Sequence, residues 1–94
     1  MRRYLGLTTS LFALLLLAGC ASTQEVRSAK DAFEKAKAAG AESKAPYEYY
    51  AAEAFLERMD HEVDEGDNKA AREFAKESQA HSEAALRMSG GGAK

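Results

Sequence analysis

Two histidines, each four residues after a glutamate, are the residues of this chain whose types and spacing first suggest chemistry. Glu57 and His61, and again Glu77 and His81, fall at i and i+4, so on a helix each pair shares a face. Such a pair can hold a divalent cation weakly, with imidazole as the usual ligand. A zinc site takes three or four convergent ligands, and neither segment offers another histidine or a cysteine, so no metal site is expected. Glu53, Glu57, Asp60 and Asp64 make a second constellation, a carboxylate stripe at helical spacing. Carboxylates do acid–base work when a cleft holds two of them with their pKa values pushed apart, and a solvated stripe does not supply that. Its functional reading is docking to a basic partner or loose binding of divalent cations. Ser78, His81 and Ser82 share one segment, with no acid in sight to orient the histidine. Gly90, Gly91 and Gly92 precede no helix, so they form no phosphate cradle. The chemistry-bearing residues point to a protein that is not an enzyme and holds no resident cofactor.

Tyr47, Tyr49 and Tyr50 are the third group. Aromatic residues beside small ones are frequent interface anchors, and Tyr47 and Tyr50 join the acidic stripe as candidate partner-binding residues. The competing reading packs the tyrosines against a preceding helix through Phe33.

All these residues must ride on helices. Alanine dominates the apolar set, and isoleucine and tryptophan are absent. Alanine has the best helix propensity but buries little area. The expected class is therefore all-α, with close-packed helices and a thin core. A first helix is expected from about Gln24 to Ala39, with a capping-box pattern from the Ser22 hydroxyl to Glu25. Its stripe is Val26, Ala29, Phe33 and Ala36, and Gly40 ends it. Ala41 to Ala45 reads as a short connection.

Pro46 opens a second helix, where its missing N–H costs nothing, and Glu48 suits the positive end of the helix dipole. Ala52, Phe55, Leu56, Met59 and Val63 share one face of it, and Tyr47, Tyr50, Ala51 and Ala54 lie roughly opposite. The first face is expected to take the third helix, and the tyrosine face to take the first. Gly66 suits a left-handed C-cap, with Asp67 or Asn68 capping a third helix to about Met88. That helix gathers Ala71, Phe74, Ala75, Ser78, Ser82 and Ala85. The architecture is an antiparallel hairpin over residues 46–88 with an added N-terminal helix, the domain spanning 24–88 and a glycine-rich tail 89–94.

Charge is uneven along this plan. The second helix carries Glu48, Glu53, Glu57, Asp60, Glu62, Asp64 and Glu65 against Arg58 alone, a net of −6, while its neighbours are near neutral. An acidic chain of this kind is a poor partner for nucleic acid.

The start of the chain supplies an address. Arg2 and Arg3 precede an apolar run from Leu11 to Ala18, the anatomy of a secretory signal too short to span a bilayer. Leu17-Ala18-Gly19-Cys20 resembles the lipobox of bacterial lipoprotein precursors. That resemblance implies cleavage after residue 19 and lipidation of Cys20, the chain's single cysteine, whose sulfur then needs no disulfide. It implies membrane association through the lipid, since two acyl chains anchor a protein stably. Ala21 stands where such lipoproteins carry an aspartate for inner-membrane retention, so the implied place is the outer membrane, facing the periplasm.

Three further resemblances bear on the rest. Gly66-Asp67 with Ala71, Phe74 and Ser78 looks like the turn and second helix of a tetratricopeptide repeat. One unit is visible, and a solenoid needs about three for stability, so the resemblance implies a repeat-like hairpin only. The stretch A-P-Y-E-Y-Y-A-A-E-A-F-L-E-R from Ala45, with Gly66, Asp67, Ala71 and Ala75, is similar to a family of small bacterial lipoproteins carrying a helical domain of unknown function. Its matching residues, Tyr49 and Leu56 among them, are packing and turn residues. It implies an envelope setting near peptidoglycan-associated proteins.

Lys94 at the end of an alanine-rich segment resembles the murein lipoproteins, whose last lysine is linked to peptidoglycan. Gly40, Pro46 and Gly66 interrupt the continuous heptad rod of those proteins, and Ala93 replaces the basic residue they place before the lysine. The combined expectation is a lipid-anchored tether, scaffold or adaptor for an envelope protein. The alternatives are a peptidoglycan link through Lys94 and weak cation binding by the second helix. The thin core also suggests homo-oligomerisation.

Overall fold

The computed structural model describes residues 23–90, and every element there is a helix. α1 covers residues 23–38, α2 is Ala41–Lys44, α3 is Pro46–Glu65 and α4 is Asn68–Met88. The signal segment, Cys20, the Ser22 hydroxyl and Lys94 lie outside the described residues. No helix among the described residues is long and apolar enough to cross a membrane.

Each boundary has a local cause. Gly40 and Gly66 both take φ near 80°, a left-handed conformation that side-chain-bearing residues rarely adopt. At Gly66 the chain makes a Schellman turn. The Asp67 N–H donates to the Glu62 carbonyl at 2.9 Å and the Gly66 N–H to that of Val63 at 3.1 Å. Asp67 then caps α4, its carboxylate accepting from the Ala70 N–H at 3.0 Å. Pro46 occupies the first turn of α3 as its fixed φ requires. The expected short connection at 41–45 contains a single helical turn, α2, because the Gly40 carbonyl accepts from the Ser43 and Lys44 N–H groups.

Packing follows a heptad-like spacing of three and four. Val26, Ala29, Phe33 and Ala36 line α1; Tyr49, Ala52, Leu56 and Met59 line α3; Ala71, Ala75, Ser78, Ser82 and Ala85 line α4. A 3.5-residue repeat is the signature of helices that wrap in a shallow left-handed bundle. Phe33 and Ala36 meet Tyr49, Ala52 and Ala85, whereas Ala29 meets Met59, Ala71 and Ala75. α1 therefore runs antiparallel to α3 and parallel to α4, seated in the groove between them, and Leu56 joins the two ends of the core.

Met59, Ser78 and Ser82 are the bulkiest fully buried side chains. So thin a core holds together by close backbone approach and dispersion rather than by large buried area.

This arrangement corrects one expectation. The Tyr47–Ala54 side of α3 does not receive α1: Tyr47 is 77% exposed and Tyr50 49% exposed. The aromatic residue against Phe33 is Tyr49, 3% exposed. With three helices, one stripe per helix can face a common axis, which buries the alanine stripe of α4 against both neighbours. Placing α1 on the back of α3 would leave that stripe half open. Phe55 and Phe74, expected in the interior, are half-buried on the opposite edge of the hairpin.

Candidate functional site

The polar residues inside the bundle serve the helix contacts. Ser78 donates from Oγ to the Ala52 carbonyl of α3 at 2.9 Å, a buried bond between helices. Ser82, one turn on and equally buried, has an Oγ with no partner. Neither hydroxyl faces solvent, so neither is placed to act as a nucleophile. His81 lies on the outer edge, with Nδ1 2.6 Å from a carboxylate oxygen of Glu48 on α3. A carboxylate accepts and the ring N–H donates, so this contact fixes the imidazole in position.

That contact corrects the expectation that no acid orients this histidine: Glu48 of α3 does. The pairing joins residues 33 apart in sequence, which an i, i+4 search cannot find. His61 likewise pairs with Glu65 at 3.8 Å rather than with Glu57, and it is largely exposed.

The outer edge of the α3–α4 hairpin carries a run of rings. The His81 imidazole stacks on Phe55, centroids 5.5 Å apart and planes within 7°. Phe55 stacks in turn on Phe74 at 6.2 Å. The Arg58 guanidinium lies 5.8 Å from the Phe55 centroid and 6.0 Å from that of Phe74, at the limit of cation–π attraction. Beside it runs an open groove of about 560 Å³, lined by Ala54, Glu57, Arg58, His61, Glu62 and Phe74. The hydrophobic pattern places Phe55 and Phe74 in the core and gives Arg58 only as the one basic residue against the acids of the second helix. The available signal was their spacing, because Phe55 and Phe74 fall outside the alternating three-and-four register.

The tyrosines divide between inside and outside. Tyr49 stacks on Phe33 at 5.0 Å, and Tyr50 meets Tyr49 edge-on at 5.1 Å. The Tyr50 hydroxyl donates to the Glu42 carboxylate of α2 at 3.0 Å. Burial, followed by the Glu42 charge, raises the Tyr49 phenol above its ordinary pKa. The Tyr50 phenol is raised chiefly by its hydrogen bond to Glu42. Tyr47 remains open to solvent.

The acidic stripe is partly claimed by the fold. Asp60 forms an ion pair with Lys30 of α1 at 3.3 Å. Among the described residues, no three histidine, cysteine, aspartate or glutamate side chains converge on a point where a metal ion would sit. Glu57 faces the outer groove instead. The candidate residues thus separate into a tyrosine edge, an Asp60 side facing α1 and a Glu57 side facing the groove.

A family model described as a domain of unknown function, DUF4398, matches residues 24–89. No curated protein and no solved structure matches the chain.

Proposed function

The chain belongs to the DUF4398 family, a domain of unknown function, and from that premise we propose a non-catalytic, lipid-anchored envelope protein acting as a tether, scaffold or adaptor. The observation that carries the proposal is how the chemistry-bearing side chains are used. Ser78 bonds a neighbouring backbone, and His81 is held by Glu48 and Phe55. What stays open to a partner is a set of surfaces: the tyrosine edge with Tyr47 and Tyr50, and the outer groove. The lipobox at Cys20 supports an outer-membrane anchor facing the periplasm. A lipid anchor raises the local concentration of a weak binder, so a modest contact area suffices. On this reading the tetratricopeptide-like hairpin presents a surface rather than stacking as a repeat.

Fractionation tests the anchor. The wild-type chain is expected in outer-membrane fractions and in the detergent phase on cloud-point separation. Cys20→Ala should leave it in the aqueous phase. A wild-type chain that remains aqueous removes the anchor and with it the proximity mechanism. Sacculi boiled in detergent and digested with muramidase separate the peptidoglycan alternative. Release of the chain by digestion alone, abolished on deleting Lys94, would replace the adaptor reading with a covalent link.

A further inference from the structure

The outer groove of the α3–α4 hairpin joins an apolar floor to a rim on which two carboxylates, Glu57 and Glu62, outnumber the one guanidinium, Arg58. Phe74 and Ala54 supply the floor, with the half-buried Phe55 ring beside them; Glu57, Glu62 and His61 stand around it. Arg58 is the only basic residue of α3, and it already lies over the two phenylalanine rings. We propose that this groove docks a basic amphipathic helix of a partner protein, a proposal that rests on the adaptor reading above.

The occupant is fixed by charge and shape. A seam between two antiparallel helices accepts a third by ridges-into-grooves packing, and α1 already occupies the opposite side. An apolar side chain of the partner would enter beside Phe74, with lysine or arginine one turn to either side meeting Glu57 and Glu62. The same rings that take the Arg58 guanidinium can take one from the partner. A second copy of this chain fits poorly: a two-fold contact through this face sets the acidic α3 against itself, and like charges across an interface are disfavoured. An anionic lipid surface is repelled for the same reason.

In-cell photo-crosslinking of the full lipidated chain tests the proposal, with p-benzoyl-phenylalanine placed at Ala54 or at Tyr50. Both positions are exposed, and an unchanged melting temperature verifies the fold of each variant. The expected result is an adduct from position 54 whose foreign peptide is helix-forming and rich in lysine or arginine. Its yield should drop roughly tenfold in Glu57→Lys/Glu62→Lys, as electrostatically steered contacts do on charge reversal.

An adduct from position 50 alone overturns the groove while leaving the adaptor reading intact. A self-adduct from position 54 overturns the foreign partner, and an acidic or charge-insensitive adduct overturns the basic helix. Silence at both positions overturns the groove and the adaptor together.

Discussion

The α3–α4 hairpin has two seams built on opposite chemistry. The inner seam, facing α1, consists of Ala52, Ala71, Ala75, Ser78, Ser82 and Ala85 around Met59, all closed to solvent. The outer seam consists of Phe55, Phe74 and His81 with Arg58, and it is half open. Apart from Tyr49 at one end of the inner seam, the rings that pack within the hairpin lie on the side that buries less. A fold built only for stability would put them inside, because aromatic side chains bury the most area. The inner seam instead uses small residues that let three backbones approach, and its specificity comes from shape. The difference suggests that the inner seam holds the domain together and that the outer one has apolar surface to spare for contact.

The largest expected effect is on the inner seam. Met59→Ala removes the bulkiest fully buried side chain at the junction of all three long helices and should cost about 2–5 kcal/mol. In a domain this small each kcal/mol shifts the melting temperature by roughly 4–8 °C, so the variant is expected to lose most of its cooperative transition by circular dichroism. Phe74→Ala deletes a larger side chain from the outer seam and should cost less, since part of that ring already meets water. Equal losses in the two variants would erase the distinction between the seams.

The two buried serines give a finer comparison within the inner seam. Ser78→Ala deletes the bond to the Ala52 carbonyl and should destabilise by about 1 kcal/mol. Ser82→Ala deletes a hydroxyl that is buried without a partner, and it should be neutral or raise the melting temperature. An unpaired buried hydroxyl costs roughly 1–3 kcal/mol, and alanine is the better helix former. If both changes destabilise alike, Ser82 has a partner in solution, the carbonyl one turn back being the nearest choice.

Much of this inner seam is legible in the sequence. Pro46, Gly66 and Asp67 act locally, so their effect on helix ends follows from residue type, and the alanine–serine stripe of α4 follows from spacing. What spacing cannot give is which helix faces which stripe. Tyr49 sits between Tyr47 and Tyr50, so each of the three points in a different direction around α3. Only the continuation through Ala52, Leu56 and Met59 singles out Tyr49 as the inward one. The Glu48–His81 contact depends on how the hairpin closes, so local pairs drew attention to Glu77 instead. α2 is one turn long, too short for a periodic signal. The outer seam was missed because the hydrophobic pattern assigns phenylalanine to the core by default.

The smallest expected effect lies at the tyrosine edge, where the inner seam ends at the surface. Both Tyr49 and Tyr50 have phenols raised above the ordinary value of about 10. A raised phenol holds its proton more tightly in the folded chain than in the unfolded one. Above pH of about 10 the unfolded chain therefore binds fewer protons, and stability must fall with rising pH until the folded values are passed. Below that pH the contribution is fully present. Melting temperatures from pH 9 to about 11.5 should thus fall more steeply in the wild type than in Tyr49→Phe or Tyr50→Phe. The Lys30–Asp60 pair is common to all three chains and cancels in the difference. The two variants should also differ from each other. Tyr49→Phe leaves the buried contact with Phe33 and removes a phenol whose ionisation burial opposes. Tyr50→Phe removes an exposed hydrogen bond to Glu42, so its curve should separate from the wild type less. Parallel curves for Tyr49→Phe and the wild type would mean that water reaches the Tyr49 hydroxyl. The closed seam would then stop at Ala52, and the tyrosine edge would belong with the open surfaces rather than with the core.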